Sequence, residues 1–112
     1  MPTGWEITVW RQKQGASIPA TRESKKGDRL ARWQIYYLTD IDALVDEGKA
    51  YKIGKEYCFY YYTLRFNYFM SYITDSQPRD YSDSLRQLAL EKEVIEKCDP
   101  LEWLFVEAYD IS

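Results

Sequence analysis

The chain has 112 residues with a formal net charge of −3, and 46% of its residues are hydrophobic and 17% aromatic. This composition excludes a disordered chain, which needs low hydrophobicity and few aromatic residues. The length excludes two independent domains, because each half would stand at the lower limit for a hydrophobic core. We therefore expect a single α+β domain over residues 1–112, mainly an antiparallel sheet of about four to five strands with roughly two to three short helices packed against it.

Two strands and a long loop are predicted in the first third of the chain. Residues 5–11 alternate apolar and polar side chains, which predicts a half-buried strand. Trp10 falls on the polar face, so we expect it to be either covered by another element or exposed for binding. Residues 12–28 have no periodicity and predict a long mobile loop. Residues 31–38 alternate again and predict a second strand, with Trp33 on its apolar face.

A short helix and a hairpin are predicted next. Thr39 followed by Asp42 has the spacing of a capping box, and Gly48 supplies a left-handed stop after the apolar stripe. Residues 51–62 predict a hairpin with Gly54 in its turn. Its second strand is apolar or aromatic on both faces, which indicates a central strand covered on both sides.

The last part of the chain predicts two helices and a closing strand. Thr63 is expected to cap a helix whose apolar residues repeat at helical spacing until Pro78. Residues 80–90 fit either a loop with a short strand or the start of a helix. Residues 91–98 predict a helix with acids at its start, and residues 102–109 alternate as a closing strand.

The two cysteines and the apolar stretches indicate the compartment. Cys58 and Cys98 lie far apart and have no metal-binding spacing, so we expect both to be reduced core residues. No signal-peptide pattern opens the chain, and its most apolar stretch is too rich in tyrosine to span a bilayer. We expect a cytoplasmic protein that does not associate with a membrane.

Charge is distributed unevenly along the chain. Residues 11–32 carry seven bases and two acids, and residues 80–112 carry nine acids and three bases. One interpretation is that the two segments pair with each other, since ion pairs between exposed groups are common. The other is that the basic segment binds phosphate.

The sequence lacks the parts of a familiar active site. Histidine is absent, which removes the commonest general base and metal ligand, and the five glycines are scattered singly. Asp42 and Asp46 lie one helical turn apart and could hold a cation, but such a pair is usually a solvated helix face. We expect no enzyme activity, no cofactor and no metal.

The aromatic excess is the compositional anomaly of this chain, with 11 tyrosines, 4 tryptophans and 4 phenylalanines. A core of this size does not need all of them, and exposed tyrosine and tryptophan contribute much of the binding energy at protein interfaces. Acids set among tyrosines can imitate nucleic acid, with carboxylates in place of phosphates. The candidate partner-binding residues are Trp10, Tyr36, Asp40, Asp42, Asp46, Glu47, Tyr60, Tyr61 and Tyr62.

The first functional hypothesis is a protein-binding inhibitor domain that blocks a nuclease, another nucleic-acid enzyme or a toxin. In its small size and its acidic, aromatic-rich composition the chain is similar to small toxin-immunity proteins and phage anti-CRISPR proteins, without a matching motif. The second is a nucleic-acid-binding module that uses the basic segment 22–32, with Trp33 or Tyr36 as a stacking platform. An assembly protein of unknown partner and a homodimer stay open as well. The bases of the second hypothesis are Arg22, Lys25, Lys26, Arg29 and Arg32.

Overall fold

One antiparallel sheet organises the chain. The computed structural model describes residues 4–13, 17–35, 37–76 and 86–111, and within them six strands and three helices are formed. In chain order the elements are β1 (Trp5–Gln12), β2 (Lys26–Ile35), α1 (Thr39–Asp46), β3 (Ala50–Glu56), β4 (Phe59–Arg65), α2 (Phe66–Ser76), β5 (Arg86–Leu90), α3 (Lys92–Glu96) and β6 (Trp103–Asp110).

The order of strands across the sheet is β3-β4-β6-β1-β2-β5, and all neighbours are antiparallel. The closing strand β6 therefore lies between β4 and β1. It joins the hairpin β3–β4 to the first two strands, although these elements are distant in sequence. The two edges of the sheet are β3 and β5.

Alternation along the strands gives the sheet two unlike faces. The covered face carries the core residues and is packed by the helices, whereas the open face is opposite to them. At the centre of the core, the ring of Trp33 lies 6.1 Å from that of Phe69 and 5.9 Å from that of Tyr72, measured between centroids. The strand residues of this core include Ile7, Val9, Ala31, Trp33, Ile35, Tyr62, Leu64, Leu104, Val106 and Ala108.

The α+β class is confirmed, but the sheet has six strands, more than predicted. The additional strand is β5, which lies in the stretch whose structure the sequence left open. Strand β2 begins at Lys26 instead of residue 31, because its first residues pair with the end of β1 at Gln12. The loop before it is correspondingly shorter, and its mobility stays a prediction.

The helix α1 ends as predicted but does not begin as predicted. Gly48 has a φ of 78°, its N–H donates to Val45, and the N–H of Lys49 donates to Leu44, which together form a Schellman motif. The N-cap residue is Leu38, and no side chain caps the helix. The prediction of a capping box formed by Thr39 and Asp42 is therefore wrong.

The turn of the β3–β4 hairpin also differs from the prediction. The turn residues are Tyr57 and Cys58, and Cys58 adopts the positive φ of 67° that Gly54 was expected to supply. Gly54 lies inside β3, where a Cβ atom would overlap the side chain of Arg22. A glycine within a strand often marks such a close approach, and here it makes room for Arg22.

Thr63 does not cap α2, because β4 continues to Arg65 and the helix starts directly afterwards. The first N–H groups of α2 donate instead to distant carbonyls, from Phe66 to Glu102 at 2.7 Å and from Asn67 to Pro100 at 2.9 Å. These bonds satisfy two of the donors that a helix start leaves free.

The two cysteines have different environments. Cys58 is exposed at the hairpin turn, so its assignment to the core is wrong, whereas Cys98 is half-buried. Burial, together with the nearby Glu102, raises the pKa of Cys98 to about 11. In the part of the chain that the structure describes, no helix is long and apolar enough to cross a membrane.

The position of Trp33 in the core can be tested by substitution. Trp33 is 2% exposed, and we expect Trp33→Ala to lower the free energy of unfolding by about 3–5 kcal/mol. Urea denaturation followed by far-UV circular dichroism measures this loss. Tyr37→Ala is the control, because Tyr37 is 75% exposed and its removal should change stability by less than about 0.5 kcal/mol. Equal losses in the two variants would contradict the assigned strand facing.

Candidate binding surface

The outer side of α1 is acidic. Asp42, Ala43, Asp46 and Glu47 are exposed there, while Ile41 is buried against the core. Helical spacing produces this division, because residues three and four apart share a face. Among the described residues neither Asp42 nor Asp46 has an ion pair, whereas Glu47 pairs with Lys49 at 3.0 Å. We call Asp42, Asp46 and Glu47 the acidic helix surface.

These carboxylates do not stabilise the helix that carries them. Asp46 is the last residue of α1 and Glu47 is its C-cap, and the last turn contains no basic residue. The C-terminal end of a helix has a partial negative charge, which disfavours acids there. Asp42 and Asp46 are also spaced one turn apart, where like charges cost about 0.2–0.5 kcal/mol. The stability of the helix therefore gives no reason for an acid at Asp46.

A tyrosine lies next to the acidic helix surface. The ammonium group of Lys49, paired with Glu47, lies 5.9 Å from the centre of the ring of Tyr68, and Tyr68 is 37% exposed. Tyr37, two residues before α1, is 75% exposed. Exposed carboxylates and tyrosine side chains thus occur together on and next to this helix.

Asp42 also influences the core beneath it. Burial raises the pKa of the Tyr62 phenol, and the Asp42 carboxylate raises it further. Tyr62 is 1% exposed and lies in the core, so we assign it to packing and leave it out of the proposed surface. The charge of Asp42 thus acts on the phenol of Tyr62.

The other predicted tyrosines lie on opposite faces of the sheet. Tyr60 is half-buried on the covered face, with its ring 5.1 Å from that of Trp5. Tyr61 is half-buried on the open face and donates a hydrogen bond to Glu56 at 3.2 Å. Tyr36 and the side chain of Asp40 lie outside the described residues. The predicted residues that the structure describes therefore lie on different faces and not in one patch.

Trp10 lies on the open face but is not free there. The ammonium group of Lys26 is 5.5 Å from the centre of its ring and pairs with Glu107 at 2.6 Å. The indole N–H of Trp10 is buried, without an acceptor among the described residues. Lys26 and its carboxylate partner thus cover this ring in part.

A loop crosses the open face. Residues 17–25 extend over β4, where the N–H of Ala20 donates to the hydroxyl of Thr63 at 3.0 Å. Farther along, Arg22 pairs with Glu56 on β3. The hydrogen bond from Arg22 holds the pKa of the Glu56 carboxyl below its ordinary value, and that from Tyr61 lowers it further. On the same face, the centre of the Phe59 ring lies 4.9 Å from that of the Tyr109 ring and 6.0 Å from that of the Tyr61 ring.

The basic and acidic segments of the chain pair with each other. Arg11 binds Glu102 through two hydrogen bonds of 2.7 and 3.0 Å. Lys26 binds Glu107, and Arg29 binds Glu91 at 3.1 Å. An open hollow of about 480 Å³ lies beside Arg11 and Lys26, yet the charges of both are compensated by these pairs. Internal pairing thus accounts for much of the basic segment.

Sequence reasoning missed Tyr68 and Tyr37. A signal for Tyr68 existed, because it falls outside the apolar stripe formed by Phe66, Phe69 and Ile73 and therefore points away from the core. Tyr37 falls within the second strand predicted over residues 31–38, but β2 ends at Ile35 and Tyr37 lies beyond it.

In residues 4–13, 17–35, 37–76 and 86–111, no group of three or more cysteine, aspartate or glutamate side chains could hold a metal ion. Comparisons of the chain with protein-family models, with curated proteins and with solved structures find no match. Its function is therefore inferred from its own residues.

The unfavourable charge at the end of α1 predicts a stabilising substitution. Asp46→Lys replaces an acid with a base where the helix dipole favours a base, and we expect a gain of about 0.3–1 kcal/mol in the free energy of unfolding. Denaturation at low ionic strength measures the gain. Asp42→Lys is the matched control, because it relieves the same repulsion between Asp42 and Asp46 but lies in the first half of α1, so its gain should be smaller. A loss of stability in Asp46→Lys would mean that the carboxylate has a structural role.

Proposed function

We propose that this protein is a non-catalytic inhibitor domain that binds a basic surface of a nuclease or another nucleic-acid enzyme through the acidic helix surface. The observation that carries the proposal is the position of Asp46 and Glu47 at the C-terminal end of α1, where they disfavour the helix. Side chains that cost stability and are nevertheless exposed are expected where activity requires them.

The chemistry of this surface suits a cationic cleft. Carboxylates along one helix face present negative charge at regular intervals, as phosphates do along a nucleic-acid strand. Tyr68 adds an aromatic ring beside them, and tyrosine gives a large rigid contact area at a low entropic cost. The net charge of −3 adds long-range attraction to a basic partner. An inhibitor of this kind would act by occupying the cleft, in the manner of toxin-immunity or anti-CRISPR proteins.

The nucleic-acid-binding hypothesis is the second candidate. It is favoured by Lys25 and Arg32, which are exposed and have no ion pair among the described residues. However, Arg22, Lys26 and Arg29 are each paired with a glutamate. Trp33 is buried and cannot serve as a stacking platform, so we rank this function lower.

The proposal is tested with a doubly reversed variant, Asp42→Lys with Asp46→Lys. The wild-type protein is immobilised, partners are captured from a lysate of the native host, and mass spectrometry identifies those that the variant no longer retains. With the purified partner, we expect the two reversals to slow association by about tenfold or more at low ionic strength. The difference should shrink at high salt, because salt screens exposed charges.

The control has the same net charge but alters other sites. Glu23→Lys with Glu96→Lys reverses two exposed acids away from α1, and association should stay close to that of the wild-type protein. The activity of the partner on nucleic acid should fall in proportion to added wild-type protein. Equal association rates for the two double variants, or an unaffected partner enzyme, would overturn the proposal. Direct binding of labelled DNA or RNA, with a steep loss in salt, would favour the second candidate.

A further inference from the structure

An open hollow of about 430 Å³ lies between the loop that crosses the open face and the turn that precedes β6. The volume is within the range of small-molecule sites. None of its described lining residues belongs to the acidic helix surface, so the hollow is a separate place on the molecule. The lining residues are Ser17 of the loop, Arg65 at the end of β4, and Asp99, Leu101 and Glu102 of the turn.

The turn is fixed by its own hydrogen bonds and by α2. The N–H of Glu102 donates to the carbonyl of Asp99 at 3.0 Å, and the N–H of Leu101 donates to the Asp99 carboxylate at 2.9 Å. The carbonyls of Pro100 and Glu102 accept from the first two N–H groups of α2. The Asp99 carboxylate is therefore held at the hollow, and one of its oxygens accepts no hydrogen bond from the described residues.

Arg65 is held over an aromatic ring. It lies opposite Trp103 of β6, and its guanidinium carbon is 4.8 Å from the centre of the Trp103 ring. A guanidinium that stacks on a ring keeps its N–H groups free in its own plane, where they can bind a carboxylate through two parallel hydrogen bonds. Arg65 has no ion pair among the described residues. Its donors are therefore available to a ligand.

The charges at the hollow cancel. Glu102 is compensated by Arg11, which binds it through two hydrogen bonds. Among the described lining residues this leaves Arg65 and Asp99, one positive and one negative, and no ion pair joins them. An anion would be repelled by Asp99 and a cation by Arg65, whereas a molecule that carries both charges can contact both.

We propose that this hollow binds a free α-amino acid with an apolar side chain. The carboxylate of the ligand would bind Arg65, and its ammonium group would bind Asp99. Its side chain would lie against Leu101, which is 57% exposed and would be removed from water. A peptide is a poorer match, because its two terminal charges belong to different residues and lie farther apart. This site does not depend on the proposed function.

The experiment is a titration of the intact protein with L-leucine and L-phenylalanine, followed by isothermal calorimetry. Two blocked compounds probe the two charges of the ligand. They are N-acetyl-L-phenylalanine, which lacks the ammonium group, and L-phenylalanine amide, which lacks the carboxylate. We expect each to bind about tenfold more weakly than L-phenylalanine or worse, because each loses one hydrogen-bonded charge contact.

Two variants remove the matching charges of the protein. Arg65→Met and Asp99→Asn should each weaken the binding of L-phenylalanine by about tenfold. Asp99→Asn keeps an oxygen that can accept from the N–H of Leu101, so the turn is preserved while the charge is lost. Arg65→Met should lose the preference over the amide, and Asp99→Asn the preference over the N-acetyl compound. Arg32→Met is the control, because Arg32 is exposed on β2 and does not line the hollow.

Circular dichroism verifies that the variants fold. The inference would be overturned by no binding of either amino acid at millimolar concentrations, by equal affinity in the wild-type protein and both variants, or by equal affinity for the blocked compounds. Tighter binding of leucyl-leucine, with the same dependence on Arg65 and Asp99, would assign the site to a peptide and also overturn it. Since the titration contains no protein partner, its failure leaves the proposed inhibitor function untouched.

Discussion

One buried hydroxyl connects the sheet with the loop that crosses it. Thr63 is fully buried, accepts a hydrogen bond from the N–H of Ala20, and donates one to the carbonyl of Leu104 at 2.7 Å. All helices that the structure describes contribute to the core of the other face, so the open face needs a different cover. The side chain of Gln12 adds a second attachment, since its amide donates to Ile18 in this loop and to Trp103 in β6. The loop therefore takes the place of a second layer of helices where it crosses β4.

The aromatic run of β4 links core and surface. Its consecutive rings alternate between the faces, with Phe59 and Tyr61 on the open face and Tyr60 and Tyr62 on the covered one. Only Tyr62 is fully enclosed, because α1 and α2 reach this part of the strand and not its beginning. Strand β4 is interior as predicted, but its cover is incomplete at the hairpin end. The excess of tyrosine thus has several separate uses rather than a single patch.

Periodicity predicted the elements that depend on local pattern. The first and closing strands and the end of α1 at Gly48 were all found near their predicted bounds. The failures depend on distant partners. The hairpin turn is set by pairing with β6, where the carbonyl of Cys58 accepts from the N–H of Asp110, and the start of α2 is held by Pro100 and Glu102. For the candidate binding surface, the acids of α1 were predicted from the sequence. The position of Tyr68 beside them depends on how two helices pack, which one sequence does not reveal.

Strand β3 contains a β-bulge, because its register with β4 shifts between Lys52 and Gly54, and this has a consequence for the edge of the sheet. A flat edge strand offers a row of unpaired N–H and C=O groups to any other strand, and this invites aggregation. In β3 the extra residue Ile53 interrupts that row, and the lysines beside it, Lys52 and Lys55, would bring their charges against a second edge. The irregularity that turns Lys52 and Lys55 toward the same face of the sheet therefore also hinders edge-to-edge stacking into fibres.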